Sequence, residues 1–117
     1  MKEYLMLIRE NLESYGKMTP EEIQKDIEQH VKWVECLVKN GNFKGGNPLM
    51  PIGNHIKGKS KVVTDGPYIE LKEGVSGYYF LLAKSLEDVT EIAKGCPSLL
   101  HGGTVELREI IQTGNNS

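Results

Sequence analysis

Apolar residues cluster in two short runs that predict strands. The first run, Tyr4–Ile8, is almost continuously apolar, and so is the second, Gly77–Ala83. Runs of this length are typical of strands that are covered on both faces. Towards the C-terminus, Gly103–Ile111 alternates apolar and polar residues. This alternation predicts a third strand with one apolar and one polar face.

Two other segments carry helix signals. Thr19–Glu22 offers an N-cap, a proline at the first helical position and a glutamate that can close a capping box. The helix that begins there is predicted to run to Asn40, and Gly41 ends it in the left-handed conformation. A second helix begins after Ser85, with apolar residues at helical spacing.

The segment between the first helix and the second apolar run is rich in glycine. It predicts short strands and turns over residues 42–64, with a strand at Val62–Thr64 and a small hairpin that turns at Gly58. Asp65–Pro67 is a strong turn signal.

This order of elements predicts an α+β fold, the ferredoxin-like β-α-β-β-α-β sheet with both helices on one face. Residues 1–113 form the single predicted domain, and residues 114–117 form a disordered tail. The sheet's other face is left bare by such a fold, yet its strands are strongly apolar. We therefore expect a second copy of the chain to cover it, which predicts a homodimer with its sheets packed face to face.

Composition narrows the possible partners. The 117 residues include 14 basic and 16 acidic side chains, and the formal net charge is -2. A nucleic-acid-binding protein needs a concentrated basic surface, so this balance predicts no such partner. Neither apolar run reaches the roughly 18 residues of a membrane helix, and the N-terminus lacks the features of a signal peptide. The sequence therefore predicts a cytoplasmic protein without a membrane partner.

The sequence contains neither of two common metal-binding motifs. Cys36 and Cys96 lie far apart without a CxxC partner, and the three histidines do not have the HExxH spacing. We expect no metal site and no cofactor.

His30 is the most informative residue of the first helix. At about 100° per residue it falls in the middle of the helix's apolar stripe, among Ile23, Ile27, Val34 and Leu37. A histidine in this position is either a core imidazole with bonded ring nitrogens or a general base in a pocket between helix and sheet. A base of that kind usually needs a carboxylate that fixes its tautomer.

Asp65 is the candidate for that carboxylate, because it leads the predicted turn directly after a strand. The alternative is that Asp65 only caps its own turn. Beyond the turn, Tyr68, Glu70 and Lys72 alternate onto one side. Glu70 and Lys72 either line a polar pocket or form an exposed ion pair, and the residue pattern by itself favours the exposed pair.

Three segments together resemble the YCII-related family in its DGPF-type branch. They are Val63–Glu73 (VTDGPYIELKE), Gly77–Tyr79 (GYY) and Gly103–Arg108 (GTVELR). The first helix of that branch typically begins with Ser/Thr-Pro-Glu-Glu and carries a histidine about ten residues later. This chain resembles that pattern in Thr19–Glu22 and His30. Two departures are visible: Tyr68 replaces the usual phenylalanine, and the stretch from Pro51 to Val62 is shorter.

The resemblance implies a ferredoxin-like chain that dimerises into an α+β barrel, with an active site built on His30 and Asp65. It also brings the other motif positions into the predicted substrate site: Gly66, Pro67, Tyr68, Glu70, Lys72, Glu73 and Arg108. In that site His30 is the expected base, Asp65 orients it, and Lys72 or Tyr68 stabilises developing negative charge on oxygen.

Two functions remain open at this stage. The resemblance implies a cofactor-independent enzyme with proton-transfer chemistry of lyase, dehydrohalogenase or isomerase type on a small organic molecule. The alternative is a non-catalytic dimeric module that binds a small ligand or assists another protein, with His30 and Asp65 in a structural hydrogen bond. The fold does not choose between them.

Overall fold

The computed structural model of the chain describes residues 1–50, 52–66 and 73–113, so the predicted tail at residues 114–117 lies outside the described residues. Within these residues, six strands and four helical segments follow one another in the order β1 (Lys2–Asn11), α1 (Leu12–Gly16), α2 (Pro20–Lys39), β2 (Phe43–Pro48), β3 (Gly53–Lys57), β4 (Val62–Gly66), β5 (Glu73–Ala83), α3 (Leu86–Ala93), a 3-10 helix (Pro97–His101) and β6 (Thr104–Glu109).

Four of the strands form an antiparallel sheet in the order β2-β5-β1-β6. This is the ferredoxin-like strand order, and it confirms the predicted α+β fold class. Strands β3 and β4 form a separate two-stranded hairpin, which lies between β2 and β5 in the chain. Gly58 has a φ of 74° in the turn of that hairpin, as its position in the sequence predicted.

Helix α2 begins and ends where its capping signals predicted. The Thr19 side chain accepts a hydrogen bond from the backbone N–H of Glu22, and the Glu22 side chain accepts one from the backbone N–H of Thr19. These bonds lower the pKa of Glu22, with the Thr19 backbone N–H as the largest cause. At the other end, Gly41 has a φ of 74°, which only glycine adopts without strain.

Both long helices pack on one face of the sheet. The residues buried there, which we call the core cluster, come from β1, α2, β5, α3 and the segment before the 3-10 helix: Tyr4, Met6, Ile8, Leu37, Leu81, Ala83, Val89, Ala93 and Cys96. The alternation of β1 explains its share, since every second side chain of a strand points to the same face. In the first apolar run, the side chains that pack against the helices are therefore Tyr4, Met6 and Ile8.

Two local elements differ from the sequence expectation. Asp65 and Gly66 belong to β4 rather than to a turn, because they pair with Asn54 and Gly53 across the hairpin. The chain after α3 continues into the 3-10 helix, which no helix signal in the sequence indicated. Proline at its start is compatible with that conformation, because the first turn needs no N–H donor there.

The face of the sheet opposite the helices also carries apolar side chains. They are half-buried and come from β1 and β5: Leu5, Leu7, Tyr78, Phe80 and Leu82. Cross-strand register places Leu5 opposite Phe80 and Leu7 opposite Tyr78. The rings of Tyr78 and Phe80 lie 5.6 Å apart in an edge-on arrangement. We call these five residues the outer face.

Candidate functional site

A cavity of about 710 Å³ lies between α2, the hairpin and the sheet. Its size falls within the range of small-molecule sites. Most of its wall is apolar and comes from Ile8, Ile27, Val31, Val34, Phe43, Pro48, Leu49, Met50, Ile52 and Val75. Met50 and Ile52 are about three-quarters exposed, which places them at the mouth of the cavity.

His30 stands in the cavity wall, on the inner side of α2. Its Nδ1 lies 2.9 Å from the backbone oxygen of Asp26, one helical turn earlier, and its Nε2 lies 3.0 Å from the Ser98 hydroxyl. A carbonyl oxygen only accepts hydrogen bonds, so Nδ1 carries a proton. Loss and gain of a proton by this ring therefore take place at Nε2, which faces Ser98.

Asp26 brings a buried carboxylate to the same wall. Its side chain is 9% exposed, and its Oδ1 lies 3.5 Å from Nδ1 of His30 and 3.4 Å from Nε2 of His101. This oxygen is buried without a hydrogen bond of good geometry in the described part of the chain. The two histidines thus flank one carboxylate, and its negative charge favours the protonated form of His30.

Ser98 connects His30 to a second carboxylate, that of Glu10. The Ser98 hydroxyl, which is fully buried, lies 3.5 Å from Oε1 of Glu10. The same oxygen accepts a 2.6 Å hydrogen bond from the hydroxyl of Ser76. Glu10 and Ser76 both line the cavity. We call this set of bonded groups, completed by Asp26, the site network: Glu10, Asp26, His30, Ser76 and Ser98.

A β-bulge places Ser76 in this network. In the pairing of β1 with β5, Ile8 lies opposite Gly77 and Arg9 lies opposite Val75, so Ser76 is an extra residue without a partner on β1. Bulges re-aim the side chain of the extra residue and are frequent next to active sites. Here the bulge directs the Ser76 hydroxyl to Glu10 and to the backbone oxygen of Ile8, at 3.4 Å.

The surroundings of His30 raise its pKa to about 9. The largest cause is the hydrogen bond with the Cys96 side chain; the backbone oxygen and carboxylate of Asp26 act in the same direction, and burial opposes them. At neutral pH the ring is therefore an imidazolium. Burial also raises the pKa of Tyr79, another residue of the wall, to about 12, so its phenol stays protonated and can donate a hydrogen bond.

The structure places the sequence-predicted site residues unequally. His30 lines the cavity, and Asp65 and Gly66 are the strand partners of Asn54 and Gly53, which also line it. Only the backbone of Asp65 is described, so its pairing with His30 stays a prediction.

The other predicted residues lie elsewhere or outside the described part. Glu73 begins β5 opposite Asn11, and only its backbone is described. Arg108 is exposed on β6, opposite Leu5, and is not part of the cavity wall. Pro67, Tyr68, Glu70 and Lys72 lie outside the described residues.

Four polar residues of the site escaped sequence reasoning: Glu10, Asp26, Ser76 and Ser98. Asp26 carried a signal, because it precedes His30 by four residues and so lies next to it on the same helix. Glu10 carried another, because it continues the alternation of Tyr4, Met6 and Ile8. The two serines depend on the bulge and on the 3-10 helix, which have no clear sequence signature.

The described residues contain no group of three or more His, Cys, Asp or Glu side chains that is arranged to hold a metal ion. They also contain no helix that is long and apolar enough to cross a membrane.

Comparison with solved structures supports the fold. The chain is similar to 5-chloro-2-hydroxyhydroquinone dehydrochlorinase from Burkholderia phenoliruptrix AC1100, solved in complex with 2,5-dihydroxybenzoquinone, with a TM-score of 0.52 and 14% identity over 98% of this chain and 99% of that one. An Arabidopsis thaliana protein is similar over the whole of both chains, with a TM-score of 0.40 and 14% identity. At 14% identity the likeness to the dehydrochlorinase shows the fold alone. No curated protein matches the chain.

The family assignment comes from the sequence as a whole. The model of the YCII-related domain matches residues 2–113, which is nearly the entire chain and includes both the site network and the core cluster. The more specific DGPF-type branch stays a prediction. The chain thus belongs to the YCII-related family.

Proposed function

We propose that the protein is a cofactor-independent enzyme that catalyses a proton transfer on a small organic molecule, in a reaction of lyase, dehydrohalogenase or isomerase type. The observation that carries this proposal is the position of His30 in the wall of a largely apolar cavity of small-molecule size. Groups with perturbed pKa values in such cavities are frequent at catalytic sites.

Ring compounds that carry a hydroxyl or carbonyl group are the proposed substrate class. The apolar wall suits a carbon skeleton, and the His30 imidazolium can stabilise negative charge that develops on an oxygen. The dehydrochlorinase with the similar fold acts on a hydroxyhydroquinone, which is a compound of this class.

His30 has a role that depends on pH. Below a pH of about 9 it carries a proton and acts as an acid or as a partner for an anion, and above that pH it becomes a base. Asp26 is the carboxylate that lies beside it at 3.5 Å. The sequence-based proposal that Asp65 orients His30 can be separated from this arrangement by substituting each aspartate in turn.

Hydrogen–deuterium exchange tests the proposal without knowledge of the natural reaction. Cyclohexanone, 2-cyclohexenone and hydroquinone are incubated with the protein in D2O, and loss of their C–H signals is followed by NMR. We expect the wild type to accelerate exchange of at least one compound, and His30→Asn to lower that rate by roughly 100-fold or more. Lys32→Gln, on the exposed side of α2, is the control and keeps the rate. Equal rates in wild type and His30→Asn contradict the proposal.

The alternative function, a non-catalytic ligand-binding or accessory module, is favoured by one observation. Both ring nitrogens of His30 are bonded within the protein, as in a structural core histidine. Binding of the same compounds without any acceleration of exchange would support this alternative.

We also propose that the protein is a homodimer whose two sheets pack through the outer face. The support is the set of apolar side chains there, which remain only half-buried in one chain. Phe80→Glu is expected to convert a dimer to a monomer in sedimentation-velocity measurements, since it introduces a charge into that face. Leu100→Glu, in the exposed part of the 3-10 helix, leaves the dimer intact. A wild-type protein that sediments as a monomer at all concentrations would contradict the dimer.

A further inference from the structure

The apolar face of β1 ends abruptly in a carboxylate. Tyr4, Met6 and Ile8 are almost fully buried on the helix side of the strand. Glu10 is the next residue of that series, and it lies in the cavity wall. A charged group at the border between core and cavity needs partners there, because an uncompensated buried charge is costly.

Glu10 has its partners on one oxygen. Oε1 accepts the short bond from Ser76 and the longer contact from Ser98. For Oε2, the described residues supply no hydrogen bond, so this oxygen has the capacity to accept one from a ligand in the cavity that Glu10 lines. Ser76 and Ser98 come from two different elements. Among the described residues, the pairing of β1 with β5 has a single bulge, and Ser76 is its extra residue.

His30, in contrast, has both ring nitrogens bonded within the protein. Nδ1 is bonded to the helix backbone, and Nε2 faces Ser98, whose side chain is fully buried. The Ser98 hydroxyl has one proton to donate. It donates to Glu10 when Nε2 is protonated, and to Nε2 when the ring is neutral. The protonation state of His30 therefore determines whether Ser98 donates a hydrogen bond to Glu10 in the cavity wall.

We propose that Glu10 is the catalytic residue that takes the proton from the ligand, and that Ser98 and His30 are positioning residues that act through it. This inference rests on the proposed function. The carboxylate forms an O–H bond as the C–H or O–H bond of the ligand breaks, and the electron pair of that bond stays on the ligand as an enolate or phenolate. The step needs no oxidant or reductant.

The charges around the cavity define the ligand further. Its acidic lining residues are Glu10, Asp26 and Glu35, and its histidines are His30 and His55. Three carboxylates disfavour a ligand that already carries several negative charges. The site is therefore suited to a carbon acid or phenol that enters neutral and becomes an anion only as its proton leaves.

Deuterium exchange of the probe that the wild type exchanges fastest tests this inference. We expect Glu10→Gln to lower the rate by about 100-fold or more and Glu10→Asp to recover part of it, since a positioned general base contributes about 10²–10⁴-fold. Glu3→Gln is the matched control on the same strand. Glu3 points to the other side of the sheet and pairs with Lys44, so its substitution leaves the rate unchanged.

The pH profile distinguishes positioning from mere structure. Ser98→Ala is expected to reduce the rate less than Glu10→Gln does and to shift the pH at which the rate changes, because it separates Glu10 from His30. A purely structural serine would change the rate at all pH values equally. Circular dichroism of each variant establishes that it is folded.

Two results would overturn the inference in different ways. If Glu10→Gln and Glu10→Asp both exchange the probe at nearly the wild-type rate, Glu10 is not the base, and the proposed function still stands on His30. If the wild type exchanges none of the three probes, the proposed function fails and the role of Glu10 fails with it.

Discussion

The two ends of the central strands β1 and β5 show how one sheet face can serve two purposes. At one end, Tyr4 on β1 and Leu81 on β5 are cross-strand partners, and both are fully buried in the core cluster. At the other end, Glu10 and Ser76 lie on the same side of the sheet but face the cavity. The first end is closed by apolar packing, whereas the second is held by hydrogen bonds between polar groups.

This difference teaches where stability and chemistry reside in the chain. Apolar burial is non-directional and tolerates no vacancy, so the closed end is expected to determine whether the protein folds. Hydrogen bonds contribute little net free energy but fix directions and protonation states. We therefore expect substitutions at the closed end to lower stability most, and substitutions in the site network to change proton chemistry with a smaller loss of stability.

The largest expected effect is at the closed end. Leu81→Ala should lower the free energy of unfolding by about 2–5 kcal/mol, because it leaves a cavity among fully buried side chains. Leu86→Ala is the matched control, since Leu86 on α3 is 55% exposed. Urea denaturation measures both variants. Equal losses for the two leucines would show that the core cluster is not the main source of stability.

The next effect is the pH dependence that His30 imposes. Its pKa is raised to about 9 in the folded protein, from 6.5 in the unfolded chain, so folding favours the protonated ring. The contribution, about 3 kcal/mol, is fully present below pH 6.5 and is lost as pH rises through about 9. Urea denaturation of wild type and His30→Asn at pH 6 and pH 9.5 gives the difference, and parallel changes in the two proteins would rule this linkage out.

A third test concerns the wall where the cavity meets the packed sheet. A Cβ added at Gly46 would lie 2.5 Å from the backbone oxygen of Tyr78 and 2.9 Å from Cα of Tyr79, so Gly46→Ala should cost about 1–3 kcal/mol. Gly45 has open space around it, and Gly45→Ala should be nearly neutral or slightly stabilising. Thermal unfolding of the pair compares them directly; similar midpoints would mean that the strand shifts freely.

A small effect on stability is expected for Ser98, an uncharged member of the site network. Ser98 is as buried as Leu81, yet Ser98→Ala should lower the free energy of unfolding by only about 1 kcal/mol, because it removes side-chain hydrogen bonds rather than apolar contacts. The urea series that includes Leu81→Ala measures this value. A loss as large as that of Leu81→Ala would erase the distinction between the two ends of the sheet.

Local signals made much of the fold predictable. The capping box at Thr19, the glycine at the end of α2 and the apolar run of β1 act over a few residues, and the structure has the element that each of them predicted. The ferredoxin-like order followed from the succession of these elements. The hairpin that turns at Gly58 was also visible, because glycine there adopts a positive φ.

The site was less predictable because it depends on long-range geometry. The apolar stripe of α2 identified the right face for His30, but part of that face, including the 47% exposed Ile27, lines a cavity rather than a core. Asp26 is buried because His30 and His101 approach it, and His101 is distant in sequence. Ser98 and Ser76 reach the site through a 3-10 helix and a bulge, which arise from packing.

The most direct test of the account is an NMR titration of the His30 ring in the wild type, Glu10→Gln and Glu3→Gln, with the signal assigned by its absence in His30→Asn. The wild-type pKa is expected near 9. We predict that it falls when the Glu10 carboxylate is removed, because Ser98 links that carboxylate to Nε2 of His30, and that it stays unchanged in Glu3→Gln. Asp65→Asn in the same series tests the sequence-predicted pair. A wild-type pKa near 6.5 that none of these substitutions moves would contradict the account, because the protonation of His30 would then be independent of the Glu10 carboxylate in the cavity wall.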